Sequence, residues 1–450
     1  MKYLHISIFF CIFAPKLAIF MNKDFYLDLE SKYTVIYPEG ERATYKSILN
    51  FSDDLSKPFQ RWCRYKEGYS IELVEKLIEM YNTNPNGIIL DPFLGSGTTI
   101  IGANRLGLAG VGFEVNPFSY HLAVCKNSMY TEADIKELKK YARLVLEEAH
   151  NETIPYTLPA LSIASKVLND TIEGYYMRIK TAIDTCKASD KVKSVLSLGW
   201  ISKLEAYANY RKAGNGLKAK KYKVPRIVTV DDIHTTLQKL YDDMIADIEE
   251  YSITKNATIY NKTCLEMEGT IENESISGII FSPPYANCFD YTEIYKMELW
   301  FGQYVNSYAD LKVLRNKSLR SNLNGLLKED KVLSSKPLEE LLEKLKTKEL
   351  WDKRIPQMLA LYFSDMFRVL DQCYRVLEKN GFCSIVVGNS AYSSVVFPTD
   401  LLLANYAESI GFKVDQILVD RYIITSSQQY DTTKKDKNYL RESIVCLQKV

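Results

Sequence analysis

The stretch "IILDPFLGSGTTIIGANRLGLAGVGFEVNP", residues 88–117, limits the fold more than any other. Ile88–Phe93 is an apolar run too short for a helix and stopped by Pro92, so it reads as a buried strand. Gly95 and Gly97 make a tight turn, residues 99–107 read as a helix ending at Gly107, and residues 109–115 read as a second strand. Strand, turn, helix and strand within about thirty residues form a βαβ unit, which belongs in a doubly wound, Rossmann-like α/β sheet. The two glycines let backbone approach a ligand closely, and the helix start behind them offers free N–H groups. Glu114, at the end of the second strand, is placed to accept both hydroxyls of a ribose, with Asp91 ahead of the turn. The spacing is neither G-x-x-x-x-G-K-[ST] nor G-x-G-x-x-G, so it points to a nucleoside cofactor and away from an ATPase phosphate loop.

The chain has 450 residues, 46% hydrophobic and 25% charged, with net charge +1. That composition suits a globular protein, and any polyanionic partner has to meet a local basic patch. The nine cysteines are dispersed without a C-x-x-C pair, and the four histidines are scattered. No zinc-ligand spacing exists, so no metal is expected, and the thiols suit a reducing cytoplasm. Residues 1–20, "MKYLHISIFFCIFAPKLAIF", are apolar but broken by Pro15 and Lys16. They read as a signal peptide or as a doubtful extension before a start at Met21, and the second reading fits the remainder of the chain. No membrane partner is expected.

The expected organisation is a catalytic domain in two parts. Residues 21–130 hold the glycine turn, 131–260 form a mainly helical insertion, and 261–450 complete the sheet, with a polar insertion at 303–350. The last part contains a long helix, from Met358 and closed by Gly381, followed by strand, helix and two strands. Inside the helical insertion, residues 211–226 carry basic side chains at 211, 212, 218, 220, 221, 223 and 226 and no acid. With Gly214-Asn215-Gly216 at its centre this run reads as an exposed loop. Arg211, Lys212, Lys218, Lys220 and Lys221 are its candidate phosphate contacts.

A second motif follows the apolar run Ile279–Phe281: Ser282-Pro283-Pro284-Tyr285. Proline ends the strand and stiffens the turn, leaving a hydroxyl, carbonyl acceptors and an aromatic ring at a rigid strand end. An exocyclic base amine is a poor nucleophile, because its lone pair is delocalised into the ring. Acceptors at the Ser282 hydroxyl and the Pro283 carbonyl can hold its hydrogens and turn the pair toward an electrophilic methyl, with Tyr285 stacked on a flipped base. Methylation at ring carbon requires a cysteine nucleophile, usually in a Pro-Cys pair, and the sequence has none.

Together these motifs resemble the amino-methylating (N4-cytosine / N6-adenine) site-specific DNA methyltransferases of restriction–modification systems. Asp91–Thr99 is similar to the family's D-P-F-x-G-S-G-T-T cofactor loop, Val111–Pro117 to its ribose-binding strand, and Ser282–Tyr285 to its [DNS]-P-P-[YFW] motif. Lys66–Ser70 resembles the segment that contacts the methionine end of the cofactor, and residues 377–390 resemble the late helix-turn-strand. The match spans about half the chain.

The resemblance implies S-adenosyl-L-methionine held by Glu67, Gly68, Ser70, Asp91, Pro92, Phe93, Gly95, Ser96, Gly97, Thr98, Glu114 and Asn116. It implies direct transfer at Ser282, Pro283, Pro284 and Tyr285, double-stranded DNA as substrate, and a cognate restriction endonuclease acting separately. Serine at 282 favours cytosine N4. The alternatives are adenine N6, an RNA methyltransferase, or a catalytically silent DNA-binding subunit. Two features depart from the family. The cofactor loop precedes the catalytic motif, and residues 259–267 lack the usual adenine-holding acid, Glu266 being the nearest.

Overall fold

The structure is a computed structural model, which describes residues 25–38, 56–66, 68–214, 216–221, 227–251, 253–326, 331–423 and 439–450. The apolar stretch 1–20, the start at Met21 and the candidate Glu67 lie outside the described residues. In chain order the strands are β1 (Val35–Ile36), β2 (Ile88–Asp91), β3 (Ala109–Phe113), β4 (Tyr210–Ala213), β5 (Gly216–Ala219), β6 (Ala257–Tyr260), β7 (Ile276–Phe281), β8 (Leu377–Gly388), β9 (Ser390–Tyr392), β10 (Val395–Phe397), β11 (Phe412–Tyr422) and β12 (Arg441–Lys449). Among the described residues, eight of them form one sheet in the order β1-β11-β12-β8-β7-β2-β3-β6. In that sheet β12 runs against its neighbours; the other pairings are parallel. The fold is therefore the mixed α/β, doubly wound architecture expected from residues 88–113.

Helices cover both faces of the sheet, which is why its strands are continuous apolar runs without alternation. The helices used below are α1 (Ile71–Tyr81), α2 (Thr98–Arg105), α3 (Pro117–Lys126), α4 (Glu132–Glu148), α5 (Asp170–Thr185), α6 (Asp190–Ser202), α7 (Val230–Glu250), α8 (Lys296–Phe301), α9 (Tyr308–Lys317), α10 (Lys336–Lys346), α11 (Ile355–Val376) and α12 (Thr399–Ser409). Helix α1 starts where the Ser70 hydroxyl accepts from the Leu73 N–H at 3.1 Å, the usual N-cap arrangement. Its Leu73, Val74 and Leu77 pack with Ile89, Ile280 and Val386 on one face of the sheet. Each such burial contributes on the order of 1.5–3 kcal/mol. Helices α11 and α12 cover the opposite face.

Between β3 and β6 the chain builds a helical layer of α4 to α7. Helices α4 and α7 each open on a capping box, Thr131 with Asp134 and Thr229 with Asp232. The layer's core is cross-tied: the Trp200 indole N–H donates to the Tyr176 carbonyl at 2.8 Å, and the Tyr176 phenol donates to the Trp200 carbonyl at 2.7 Å. Asp247 of α7, fully buried, docks this layer on the segment before the cofactor loop. It accepts from the Phe59 N–H at 2.9 Å and the Trp62 indole at 2.8 Å, and it pairs with Arg61.

Three details differ from the sequence reading. Strand β6 lies inside the range 131–260 but pairs in parallel with β3, so it belongs to the sheet. Tyr210–Ala213 and Gly216–Ala219 pair as two antiparallel strands, with Arg211 opposite Lys218, instead of a loop; residues 222–226 of the expected loop lie outside the described residues. Helix α11 ends at Val376, before Gly381, because Leu377 is captured by the sheet opposite Ile276. The left-handed residue there is Asn380, with φ 65°.

Candidate functional site

Strand order reverses about β2 and β7, and the candidate site opens at their carboxyl ends, the usual ligand position in such sheets. Asp91 closes β2. Its buried carboxylate accepts from the Phe93 N–H at 2.8 Å, the Tyr69 phenol at 2.9 Å and the Thr99 hydroxyl at 2.5 Å. Burial pushes its acid up to about 6 against those bonds. Its partners brace the turn from inside, so Asp91 shapes the loop. Gly97, at φ 86°, caps α2; a β-carbon there would stand 2.6 Å from the Asn127 amide nitrogen and 3.2 Å from Ala123 backbone. That left-handed turn against a helix leaves glycine as the unstrained choice.

Glu114 follows β3 and crosses back to the loop. Its two oxygens accept from the Gly95 N–H and the Asn116 N–H, both at 2.7 Å. Burial raises its acid to about 7, although these bonds favour the ionised form. Asn116 is the N-cap of α3, accepting from the Phe118 N–H at 3.0 Å. Thr98 accepts from the Gln60 amide at 3.2 Å, and Gln60 in turn accepts from buried Lys126 at 3.0 Å.

A cleft lies over this loop, lined by Gly68, Pro92, Phe93, Gly95, Ser96, Thr98, Glu114 and Asn116, and further on by Ser282 and Pro284. Ser70 and Gly97 stand behind it in capping roles. Sequence reasoning does not reach the far wall. Lys262, Thr263 and Cys264 extend from the end of β6, at the same sheet edge, while Glu266 is not part of the lining. Arg315, Ser318, Ser321 and Asn322 come from the 303–350 insertion. The position after a third parallel strand is a readable signal for the first group; no local pattern marks the second.

The walls fit a sulfonium nucleoside. They pair apolar surface from Pro92, Phe93 and Leu94 with one partly exposed carboxylate, Glu114, beside a glycine turn.

A second, smaller cleft is lined by Ser282, Pro283, Tyr285, Asn287, Arg421 and Glu442, and shares Gly68, Tyr69, Ser282 and Tyr291 with the first. Pro283 is buried, and Ser282, Pro284 and Tyr285 are partly exposed. The Tyr285 phenol donates to Glu442, whose other oxygen pairs with Arg421. Burial holds the Tyr285 phenol well above its ordinary range and the Glu442 charge pushes it further, while the nearby Ser282 hydroxyl pulls the other way. The turn is also held at Ala286, whose carbonyl accepts from the Tyr392 phenol at 2.8 Å. Neither Glu442 nor Arg421 stands near a recognisable motif.

The five basic candidates separate. Arg211, Lys218 and Lys221 are exposed. Lys212 is withdrawn from any phosphate: its ammonium is 2.6 Å from Glu298, 3.9 Å from Glu205 and over the Tyr295 ring at 4.2 Å. Lys220 donates to the Glu205 carbonyl at 2.6 Å and so finishes the short helix 204–207. Both are corrected to fold-holding roles, Lys212 because its ammonium is taken by buried Glu298 and Lys220 because its ammonium is taken by helix carbonyls. Among the described residues no His/Cys/Asp/Glu group could hold a metal, and no helix is long and apolar enough to cross a membrane.

Residues 30–124 match a family model described as DNA methylase. The chain is 28% identical over 405 residues, 83% of each chain, to "Type II methyltransferase M.AvaI" of Nostoc sp.. It is 26% identical to "Type II methyltransferase M.BsoBI" of Geobacillus stearothermophilus, over 94% of this chain and 92% of that one. "Type II methyltransferase M.MvaI" of Kocuria varians matches at 22% identity over 70% of this chain and 73% of its own length. The family-model match includes the Asp91–Thr99 turn and Glu114. The chain is thus similar over most of its length to type II methyltransferases, and its residues 30–124 fit the DNA methylase family.

Proposed function

We propose that the chain transfers a methyl group from S-adenosyl-L-methionine to the exocyclic N4 of a cytosine flipped out of double-stranded DNA, marking a type II site against a separate restriction endonuclease. The observation that carries this reading is the junction of two clefts at Ser282: one runs along the glycine turn, the other along Tyr285.

The cofactor supplies an electrophilic methyl on a sulfonium. Glu114 would accept its ribose hydroxyls, with Phe93 against the nucleoside and Gly68 at the end nearest the catalytic turn. The Ser282 hydroxyl and the Pro283 carbonyl accept the amine hydrogens, and Tyr285 bears on the base face. The nitrogen takes the methyl as the sulfur–carbon bond breaks, and the amine gives up one proton. A covalent cysteine route finds no support: Cys264 in the first cleft and half-buried Cys288 beside the catalytic turn are both held as thiols by burial.

The test is incubation of DNA with the protein and methyl-labelled S-adenosylmethionine, followed by mass spectrometry of the nucleosides. Labelled N4-methylcytidine is expected. Labelled N6-methyladenine would keep the mechanism and change the base; label confined to RNA, or no label, would overturn the reading.

A further inference from the structure

Of the chain's four tryptophans, Trp62, Trp200 and Trp300 are buried, while Trp351 is 67% exposed. Indoles are enriched where a partner covers them, because one ring brings a large apolar face at little entropic cost. Trp351 stands in the connection between α10 and α11. Residues 344–354 carry five basic side chains and two acidic ones. Of these, Asp352 pairs with Arg354 at 2.7 Å, and Lys346 pairs with Glu343 just outside the stretch at 2.6 Å. Lys353 is exposed next to the ring. The surface is apolar at its centre and positive around it, which complements bases flanked by phosphates.

Two contacts fix where this segment lies. The Glu349 carbonyl accepts from the Ser393 hydroxyl at 2.6 Å. Ser393 is at the tip of the β9–β10 pair, which follows directly on the carboxyl end of β8. Tyr392 of that pair is the residue that holds the Ala286 carbonyl of the catalytic turn. On the other side, Arg354 donates to the Leu323 carbonyl at 3.2 Å, next to Asn322 in the wall of the cofactor cleft. The segment is thus tied to both clefts, at the end of the sheet where they open.

We propose that Trp351 packs its ring against the bases of duplex DNA beside the target nucleotide. The inference rests on the proposed function and deepens it. A base drawn into the cleft at Tyr285 leaves its neighbours in the duplex with one stacked face lost. An indole there supplies a replacement face. Every base has such a face, so the contact lowers the cost of opening the duplex without reading its sequence.

The experiment uses the full chain as wild type, W351A and W351F, with a plasmid fragment that the wild type labels from methyl-labelled S-adenosylmethionine. Acrylamide quenching of tryptophan fluorescence reads the site directly, since the other three indoles are buried. The free wild type should show a quenchable fraction that W351F lacks. Saturating fragment, with S-adenosylhomocysteine present, should shield that fraction. DNA affinity should fall at least about tenfold in W351A and within about threefold in W351F, which keeps a ring. The salt dependence of binding should stay as in wild type, because no phosphate contact is removed. Cofactor affinity and melting temperature should also be unchanged.

Quenching that the fragment leaves as it was, or W351A binding as tightly as wild type, would overturn the role of Trp351 and leave the proposed function intact. Shielding that grows with protein concentration in the absence of DNA would assign the ring to a contact between copies of the chain, and would overturn it too. A wild type that labels no plasmid fragment would overturn both readings.

Discussion

Two backbone N–H groups hold Glu114, and burial outweighs them, leaving its acid at about 7 against 4.5 when free. Since the folded value is the higher one, this group's contribution to stability is full below about pH 4.5. It is lost as pH rises through about 7. The ionised form is the better acceptor for ribose hydroxyls, so function draws on the form that burial disfavours. Cofactor affinity is therefore expected to rise between pH 6 and pH 8 and to level off above. Asp91 titrates lower, at about 6, so the upper part of the rise belongs to Glu114. Calorimetric titration of S-adenosylmethionine across that range checks this, with Glu114→Ala as control. The variant should bind at least about tenfold more weakly, two charge-assisted bonds being removed, and its affinity should no longer climb near pH 7. An unchanged climb in the variant would place the titrating group elsewhere.

At the scale of elements, the β4–β5 hairpin shows what a charge run does and does not reveal. Arg211 faces Lys218 across the pair, and like charges directly opposite are unfavourable unless a counter-charge joins them. Lys221 is exposed just past β5, and Lys212 anchors the hairpin on Glu298 of α8, close behind the catalytic turn. Replacing Lys218 and Lys221 by Ala should lower the salt dependence of DNA binding by about one unit for each phosphate no longer neutralised, with melting temperature unchanged. Lys212→Ala should behave oppositely. It strands Glu298 in the interior, costing about 3 kcal/mol, and leaves the salt slope as it is. Binding measured at several salt concentrations separates the two sets; equal slopes for all three variants would move the DNA contacts off this hairpin. Nothing in the run itself separates Lys212 from Lys218, because it specifies charge while distant Glu298 and Tyr295 decide which cation is withdrawn. The pairing of β4 with β5 is hinted at by the Asn-Gly pair in the sequence, but the surrounding lysines give the run the look of a loop.

Across the whole molecule, what is legible is what is local. The βαβ unit at 88–113, the capping of α1 by Ser70 and the strand end at Pro283 each follow from a few adjacent residues. The far wall of the cofactor cleft and the Glu442–Arg421 pair bring together segments far apart in sequence, and no periodicity records such meetings. Asp247 belongs to the same class, and it links the helical layer to the site. From Asp247 the contacts run to Phe59 and Trp62, from adjacent Gln60 to Thr98 at the start of α2, and from Tyr65 to the face of Gly95. The 56–66 segment is thus held at one end by the insertion while it supports the cofactor loop at the other. Asp247→Ala would leave two buried N–H donors without an acceptor and Arg61 without its closest charge, a loss of about 3 kcal/mol. The melting temperature should drop by several degrees. Cofactor affinity should weaken as well, although Asp247 lines neither cleft, and saturating S-adenosylmethionine should restore part of the missing melting temperature. Asp243→Ala is the control: this half-exposed neighbour approaches Arg61 only at 3.5 Å, and its removal should change either quantity little. If Asp247→Ala melts early yet binds cofactor as wild type does, the helical layer stabilises the fold without supporting the site, and the path through Gln60 carries no coupling.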